Sequence, residues 1–275
     1  MITRKDIIEK LNKRGYRAEK QDNMRNGTLY HGICIFEKRS KDALVPIIYT
    51  DDLIEKAVEQ GWSIEELTDK IISIWMKHKK SKQINITEKD LQDRDYILKH
   101  LYIGVQKESI EKIEKKETPF DGIEKYLYIR SNFNEDGSSY ITKVSIIFLI
   151  RIGIKKEEAW LNAEKNTFKE TVIRSMTSVI KDAVPLYIVS NECMMRGASG
   201  ILNKGKMKGL SLKLGTNIFV IFPSSIHEMV VMPYYGPYQE ALDNLPDYSR
   251  MVEETNYNEV DPWERLVDRA FIMEI

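Results

Sequence analysis

The most compact cluster of side chains that could do chemistry is Pro223-Ser-Ser-Ile-His-Glu228. It brings two hydroxyl groups, on Ser224 and Ser225, close in sequence to the imidazole of His227 and the carboxyl group of Glu228. A serine becomes a nucleophile when a base lies within about 3 Å of its hydroxyl group and a third group orients that base. The residue types alone are therefore those of a hydrolase or a transferase.

The spacing of this cluster favours a structural role instead. Two apolar runs, at residues 218–222 and 226–232, flank a turn signal with proline at its second position, so the segment is predicted to form a tight β-hairpin. Side chains alternate between the two faces of a strand, so Ser225 and His227 would share one face while Glu228 lies on the other. We interpret the cluster first as a hairpin, with ligand binding and catalysis as alternatives.

A second candidate position follows an apolar run at residues 186–189. Asn191 and Glu192 come directly after this run and precede the small residues Gly197-Ala-Ser199. Small residues let the beginning of a helix approach either a ligand or a neighbouring strand, and close packing on a strand is the favoured explanation. No catalytic residue is assigned. The candidate ligand-binding residues are Asn191, Glu192, Ser224, Ser225, His227 and Glu228.

Metal and nucleotide binding are both disfavoured by the sequence. His227 and Glu228 lack the second histidine of the H-E-x-x-H zinc motif, because the required position holds Val231. The four histidines and two cysteines show no metal-ligand spacing, so neither a metal nor a cofactor is predicted. Residues 200–206 match the first seven positions of a phosphate-binding loop, but Met207 replaces the Ser or Thr that holds Mg²⁺.

Charge gives little indication of a partner. Lys plus Arg and Asp plus Glu both number 42, so the net charge is zero and the basic excess typical of nucleic-acid binders is missing. Lys204, Lys206 and Lys208 form a local basic segment that would suit an anionic partner, by counterion release if that partner were a nucleic acid. A solvated helix end is the simpler interpretation of these three lysines.

Composition indicates a cytoplasmic globular protein. The chain has 275 residues, of which 42% are hydrophobic and 31% charged, a length that suits one large domain or two small ones. Cys34 and Cys193 are far apart, and the N-terminus does not resemble a signal peptide, so free thiols in a reducing compartment are expected. The longest apolar run, residues 144–150, is far shorter than the roughly 20 residues of a membrane span.

Hairpins and blocks of helices must position the candidate residues. Asn26-Gly27 predicts a hairpin between runs near residues 16–22 and 28–37, and a second hairpin is predicted at Asn134-Glu-Asp-Gly137 between residues 123–133 and 140–150. Capping patterns at Ser63-x-x-Glu66 and Thr87-x-x-Asp90 predict helices, the second one continuing to about residue 105. Further helices are expected at the segments 155–170 and 171–181, while the charged run 107–117 is interpreted as a solvated helix face.

The fold class that follows is α+β, with a mainly antiparallel sheet built from hairpins and helices in blocks. A polar, basic break at residues 77–83 is the best candidate for a boundary. It would separate an N-terminal α+β subdomain, residues 1–80, from a main α+β domain, residues 84–275. One continuous domain is the alternative.

The chain resembles, along almost its whole length, a bacterial family catalogued as domain of unknown function 5688. The segments that carry this resemblance are Gly32-Ile-Cys-Ile-Phe36, Val45-Pro-Ile-Ile-Tyr49, Ala163-Glu-Lys-Asn-Thr167, Leu186-Tyr-Ile-Val-Ser-Asn191, Gly197-Ala, Phe222-Pro-Ser-Ser-Ile-His-Glu228 and Met251-Val-Glu-Glu-Thr-Asn256. Residues 261–271 follow the family's closing pattern only loosely. The order of elements is similar, more distantly, to the uncharacterised YtpQ-like family. Neither resemblance implies a reaction.

Three functions remain as hypotheses. The leading one is a cytosolic, non-catalytic binding or regulatory module, because no group of residues has catalytic spacing. The first alternative is a hydrolase or transferase that assembles His227, Glu228 and Asn191 from separate segments. The second alternative is a nucleic-acid-linked accessory protein that uses the lysines after Leu202.

Overall fold

The computed structural model describes residues 2–36, 47–80, 86–132, 139–176 and 185–275. The chain divides into two compact units, Met1–Gln83 and Ile84–Ile275. The division into an N-terminal subdomain, residues 1–80, and a main domain, residues 84–275, stays a prediction. In the ranges given above, no helix combines the length and the apolar character that crossing a bilayer requires.

The first unit combines helices with one antiparallel sheet of order β1-β2-β3. Its elements are α1 (Arg4–Lys13), β1 (Arg17–Arg25), β2 (Thr28–Phe36), β3 (Ile47–Tyr49), α2 (Asp51–Glu59) and α3 (Ile64–Lys80). Leu11 of α1 and Ile71 of α3 pack with Ile33 of β2 in one core, and the Trp75 indole N–H donates to the carbonyl of Ile35.

Two local signals of the sequence are confirmed in this unit. Asn26 and Gly27 both have positive φ, 48° and 75°, and β1 pairs with β2 across them in the register Arg25 to Thr28. At the beginning of α3, the N–H and hydroxyl of Ser63 donate to Glu66 Oε2, and the Glu66 N–H donates back to Ser63 Oγ. The predicted hairpin and capping box are therefore both present.

The second unit contains two antiparallel sheets. Its elements are α4 (Glu88–Gln92), α5 (Arg94–Lys99), β4 (Leu101–Lys107), β5 (Lys115–Glu117), β6 (Ile123–Arg130), β7 (Ile141–Lys143), α6 (Ile146–Arg151), α7 (Lys156–Glu170), β8 (Thr171–Ser175), β9 (Tyr187–Asn191), a 3-10 helix (Gly197–Leu202), α8 (Lys204–Leu214), β10 (Ile218–Phe222), β11 (Met229–Tyr234), α9 (Tyr238–Asp243), α10 (Leu245–Glu259) and β12 (Phe271–Glu274). One sheet has the order β12-β10-β11-β9-β8, and in the other β6 pairs with β4, β5 and β7.

The five-stranded sheet of this unit is buried on both faces. On its inner face Phe219 and Val231 pack with Val105 of β4 in a core that the smaller sheet shares. On its outer face Val220 packs with Val252 of α10. Every strand pairing among the described residues is antiparallel, so the α+β class with a mainly antiparallel sheet is confirmed.

Two helices predicted by periodicity are partly or wholly strands. The helix predicted from Thr87 is two short helices, α4 and α5, and helical structure ends at Lys99, because Leu101–Lys107 pairs along its whole length with β6. Residues 171–175 form β8 instead of beginning a helix, because the β-branched Thr171-Val-Ile173 run pairs with β9. The rest of that predicted helix, from residue 177, lies outside the described residues.

One predicted strand is largely a helix. Only Ile141–Lys143 of the run 140–150 forms a strand, because Ser145 caps α6 by accepting a hydrogen bond from the N–H of Phe148. The turn predicted at residues 134–137 lies outside the described residues.

Candidate functional site

The segment that joins β10 to β11 carries the sequence cluster, and it is a loop. The register pairs Phe222 with Val230, and β11 begins only at Met229, so the prediction of a tight hairpin with His227 on the return strand is wrong. The backbone of Ile226 finds its partners elsewhere, because its N–H donates to the carbonyl of Glu264 at 2.8 Å. This loop therefore follows hydrogen bonds to distant segments, which the sequence does not reveal.

Both ring nitrogens of His227 are in use. Nδ1 accepts a hydrogen bond from the backbone N–H of Arg196 at 3.2 Å, and Nε2 lies 3.2 Å from Glu264 Oε1. A nitrogen that accepts cannot carry the proton, so the neutral ring holds its proton on Nε2 and donates it to the carboxylate. Neither nitrogen is left to remove a proton from a serine, and this geometry gives no support to a hydrolase or transferase based on His227.

The main chain of His227 binds two further segments of the second unit. Its carbonyl accepts from Ser190 Oγ at 2.7 Å and from the Gly197 N–H at 3.0 Å, while its own N–H donates to Ser225 Oγ at 3.0 Å. Together with the contact between the ring and Glu264, these bonds bring the end of β9, the beginning of the 3-10 helix and the segment that contains Glu264 to one histidine. We call this group the His227 junction: Ser190, Asn191, Arg196, Gly197, Ser225, His227 and Glu264.

Asn191 closes the loop that leads into the 3-10 helix. Its Nδ2 donates to the carbonyl of Met195 at 2.8 Å, and its Oδ1 accepts from the Met195 N–H at 3.0 Å and from Cys193 Sγ at 3.3 Å. Met194 and Arg196, inside the same loop, adopt positive φ of 54° and 52°, a conformation that costs free energy for residues other than glycine. The amide of Asn191 holds the loop in that conformation.

The six residues predicted to bind a ligand occupy different places. Asn191, Ser225 and His227 belong to the junction, while Ser224 lies on the outer face of the sheet. Glu192 is exposed, and Glu228 takes part through its carbonyl, which accepts from the Ser225 N–H at 3.2 Å. Ligand binding by the set stays a prediction.

Arg196 extends from the junction into the smaller sheet. Its guanidinium donates to the hydroxyl of Tyr126 at 2.6 Å. Burial raises the pKa of Tyr126, so this phenol is neutral. The Tyr126 ring lies across Gly104 of β4, where an added Cβ would stand 2.6 Å from the ring. Glycine at this position is therefore a requirement of the packing.

A buried ion pair that sequence reasoning missed lies beside the junction. Arg130 donates to both carboxylate oxygens of Glu170 at 2.7 and 2.8 Å, and the Tyr102 hydroxyl donates to the same carboxylate at 2.9 Å. The guanidinium also stacks 4.1 Å from the Tyr102 ring centre and lies 3.9 Å from Cys193 Sγ. Burial, with the Glu170 carboxylate next to it, raises the pKa of Tyr102 to about 12. No local pattern joins these residues, because each comes from a different element.

The charged run 107–117 is also more buried than predicted. Glu114 is only 3% exposed and accepts from the Trp160 indole N–H at 2.8 Å, with Lys156 Nζ at 2.9 Å. Lys143 pairs with Glu111 at 2.6 Å, and burial lowers the pKa of this lysine. The interpretation as a solvated helix face is wrong, because residues 115–117 form β5, which pairs with β6, and residues 107–114 form no helix.

An apolar cavity lies between the outer face of the five-stranded sheet and α10. Its volume is about 400 Å³. We call it the outer groove, and the described residues that line it are all uncharged: Leu186, Phe222, Ser224, Val230, Met232, Tyr248, Met251, Val252, Thr255 and Asn256. Of these residues, only Ser224 was a candidate from the sequence. The groove is lined by β10, β11 and α10, and their proximity is a property of the fold and not of a local sequence pattern.

Asn256, one of the residues that line the groove, is almost completely buried although it is polar. The residue is 1% exposed, and its Nδ2 donates to the carbonyl of Val267 at 3.3 Å and to Asp268 Oδ1 at 2.8 Å. Both partners are acceptors, which fixes the orientation of the amide. Its Oδ1 is buried and has no hydrogen-bond partner among the described residues.

Comparison with known proteins gives one match. The family model described as a family of unknown function, DUF5688, matches residues 3–274. The chain belongs to DUF5688. No curated protein and no solved structure matches it. The family resemblance of the sequence is confirmed, whereas the more distant likeness to the YtpQ-like family stays a prediction.

In this DUF5688 chain, Lys204 and Lys206 of the basic segment have different neighbours. Lys206 lines a shallow cavity of about 330 Å³ with Lys213, beside β8. Lys204 lies near Lys125, whose pKa is lowered by burial and also by Lys116 and Lys204. An anionic partner at Lys204, Lys206 and Lys208 stays a prediction. Within the described ranges, no three His, Cys, Asp or Glu side chains are placed to hold a metal ion.

Removal of the His227 ring tests the structural role of the junction. In the His227→Ala variant the Arg196 N–H loses its acceptor and Glu264 loses its donor, so the free energy of unfolding is expected to fall by about 2 kcal/mol. Urea denaturation followed by circular dichroism measures this loss. The neighbouring Glu228→Ala variant is the control, because the Glu228 side chain makes no hydrogen bond with the described residues. Equal stability of the two variants would contradict the role of the His227 ring.

Proposed function

We propose that this DUF5688 chain is a non-catalytic binding module that holds a small, mainly apolar molecule in the outer groove. One observation carries the proposal: a cavity of about 400 Å³ whose described lining residues are uncharged and largely apolar. Small-molecule sites are typically concave, mostly apolar cavities of about 300–1,000 Å³ with a few polar groups that fix the ligand's orientation. Ser224 and Thr255 supply such groups here.

The groove offers apolar surface that a ligand would remove from water. Met251 on α10 is 56% exposed although it lines the cavity, and Met232 and Phe222 are half-buried. Burial of apolar surface contributes about 25 cal/mol per Å², and a methionine adapts its shape to what it contacts. These properties favour association with an apolar molecule over a purely structural void.

The hydrogen bonds of the His227 junction support a binding function without catalysis. Its histidine and its asparagine have committed their polar atoms to protein partners. The free thiols of Cys34 and Cys193 support a reducing, cytoplasmic location for the module.

Titration with Nile red, a neutral apolar dye, tests the proposal. Saturable fluorescence enhancement is expected for the native chain. The Val230→Trp variant replaces an isopropyl group in the groove with a much larger indole ring. It is expected to weaken the dye's affinity at least about tenfold, or about 1.4 kcal/mol. Tyr257→Trp is the matched control, because Tyr257 is 79% exposed on α10 and does not line the groove.

Circular dichroism of each variant confirms that the fold is retained before affinities are compared. A native chain that binds no dye saturably, or two variants that bind it equally well, would refute the groove as a binding site.

A further inference from the structure

We propose that the outer groove selects a neutral, planar aromatic molecule, whose ring packs against Phe222 and Tyr248. This inference rests on the proposed function, because it names the ligand class of the same groove. An aromatic ligand differs from other apolar molecules by its π-system, and the groove is lined by side chains that interact with a π-system in addition to burying apolar surface.

Two aromatic rings from different elements line the groove nearly at a right angle to each other. Phe222 is the last residue of β10 and Tyr248 lies on α10, with the ring centroids 5.9 Å apart and the ring planes at 82°. Aromatic rings prefer offset-stacked or edge-to-face contacts with one another. A ligand ring that is parallel to one of these two rings is therefore perpendicular to the other, so a single orientation satisfies both preferences. Both side chains are half-buried, which leaves each of them surface for a ligand to cover.

Two methionine side chains add sulfur to the same groove. Met232 on β11 is half-buried, and Met251 on α10 is 56% exposed. A thioether sulfur makes a favourable contact with an aromatic ring, which a saturated hydrocarbon does not offer. The methionine side chain also has three rotatable bonds, so it adapts to the shape of what it contacts. A saturated ligand would gain only from the burial of apolar surface.

The lining of the groove provides no partner for a charge on the ligand. All the described lining residues are uncharged. A carboxylate or an ammonium group would lose its hydration there without a counter-ion, which is costly. The hydroxyl groups of Ser224 and Thr255 suit a neutral polar substituent instead. The ligand class is therefore a neutral aromatic molecule, with or without such a substituent.

Displacement of Nile red by two alcohols tests the inference. 2-Naphthol and decahydro-2-naphthol share one carbon skeleton and one hydroxyl group, but only the first has aromatic rings. The saturated alcohol has the larger apolar surface, so burial of apolar surface alone would favour it. We expect 2-naphthol to displace the dye from the native chain at an about tenfold lower concentration, because only its rings make the aromatic and sulfur contacts.

Leucine variants of the two rings show whether these rings cause the preference. Phe222→Leu and Tyr248→Leu each remove one ring and keep an apolar side chain, so each is expected to reduce the preference to about threefold or less. Tyr257→Leu is the matched control and is expected to keep the preference, because Tyr257 is 79% exposed on α10 and does not line the groove. Circular dichroism confirms that each variant is folded before concentrations are compared.

The outcomes separate this inference from the proposed function. If the dye binds but the saturated alcohol displaces it at least as well as 2-naphthol, or if neither alcohol displaces it, the ligand class is wrong and the groove remains a binding site. A preference that both leucine variants keep in full also overturns the inference, because the two rings then do not cause it. If the dye does not bind the native chain saturably, both proposals fail. The comparison of the two alcohols needs no variant, so a leucine variant that does not fold leaves the test valid.

Discussion

The Gly197→Ala variant is expected to lose about 3 kcal/mol of its free energy of unfolding. A Cβ at this position would stand 2.4 Å from the backbone nitrogen of Asn191 and 2.4 Å from Ser190 Oγ. Both neighbours belong to β9, whose pairing with β8 extends through Asn191 and whose pairing with β11 reaches Val189, so this backbone resists a shift. The 3-10 helix must move instead, and with it the hydrogen bond from the Gly197 N–H to His227.

Gly209→Ala is the matched control for this prediction. Gly209 lies inside α8, and nothing approaches within 4 Å of the position of an added Cβ. Alanine has the better helix propensity, so this variant is expected to gain up to about 1 kcal/mol. Urea denaturation of the two variants measures both signs. A Gly197→Ala chain as stable as the native one would show that the close approach of the helix to β9 has no energetic role.

The Glu170→Gln variant is expected to lose about 2–3 kcal/mol of its free energy of unfolding. The change removes the charge of the carboxylate that accepts two hydrogen bonds from Arg130 and one from Tyr102. The Arg130 side chain is only 6% exposed, and breaking one partner of a buried pair costs about 3–5 kcal/mol. Glu170 itself is 31% exposed, so water recovers part of that cost and the expected loss is smaller.

The control for this second prediction comes from the same helix. Glu158 of α7 pairs with Arg94, whose side chain is 45% exposed, so Glu158→Gln is expected to cost less than about 1 kcal/mol. Both variants exchange the same functional group in one helix, which cancels differences in helix propensity. Chemical denaturation that finds equal losses would mean that burial of Arg130 contributes nothing beyond an exposed pair.

Turns and helix caps were well predicted from the sequence. The Asn26-Gly27 turn and the capping patterns at Ser63 and Thr87 each depend on residues within a few positions of one another, and all are present. The α+β class followed because hairpin signals and amphipathic helices are both local patterns. Where the prediction failed, a distant partner decided the conformation: β6 holds Leu101–Lys107 as a strand, and β9 does the same for Thr171–Ser175.

The candidate site was predicted only in part for a related reason. Asn191, Ser225 and His227 stood out by residue type, and the structure does gather them, but their partners Arg196 and Glu264 are ordinary charged residues in the sequence. The outer groove was invisible, because both faces of β10 are apolar and a sequence does not show on which face packing is incomplete. The unpaired oxygen of Asn256 could not be predicted either, since the lack of a hydrogen-bond partner is a property of the folded arrangement.

The position of β10 in its sheet has a consequence for how the chain avoids self-association. Its sequence, Ile218-Phe-Val-Ile-Phe222, is apolar throughout and carries no charge or proline. β11 is the next element in the chain, and it pairs with one edge of β10. The other edge pairs only with β12, which follows α9 and α10 in the chain. Until β12 pairs, β10 is an exposed apolar edge of the kind that recruits strands from other chains. The short strand Phe271–Glu274 therefore serves the second unit as a protective edge, and its charged last residue ends the sheet.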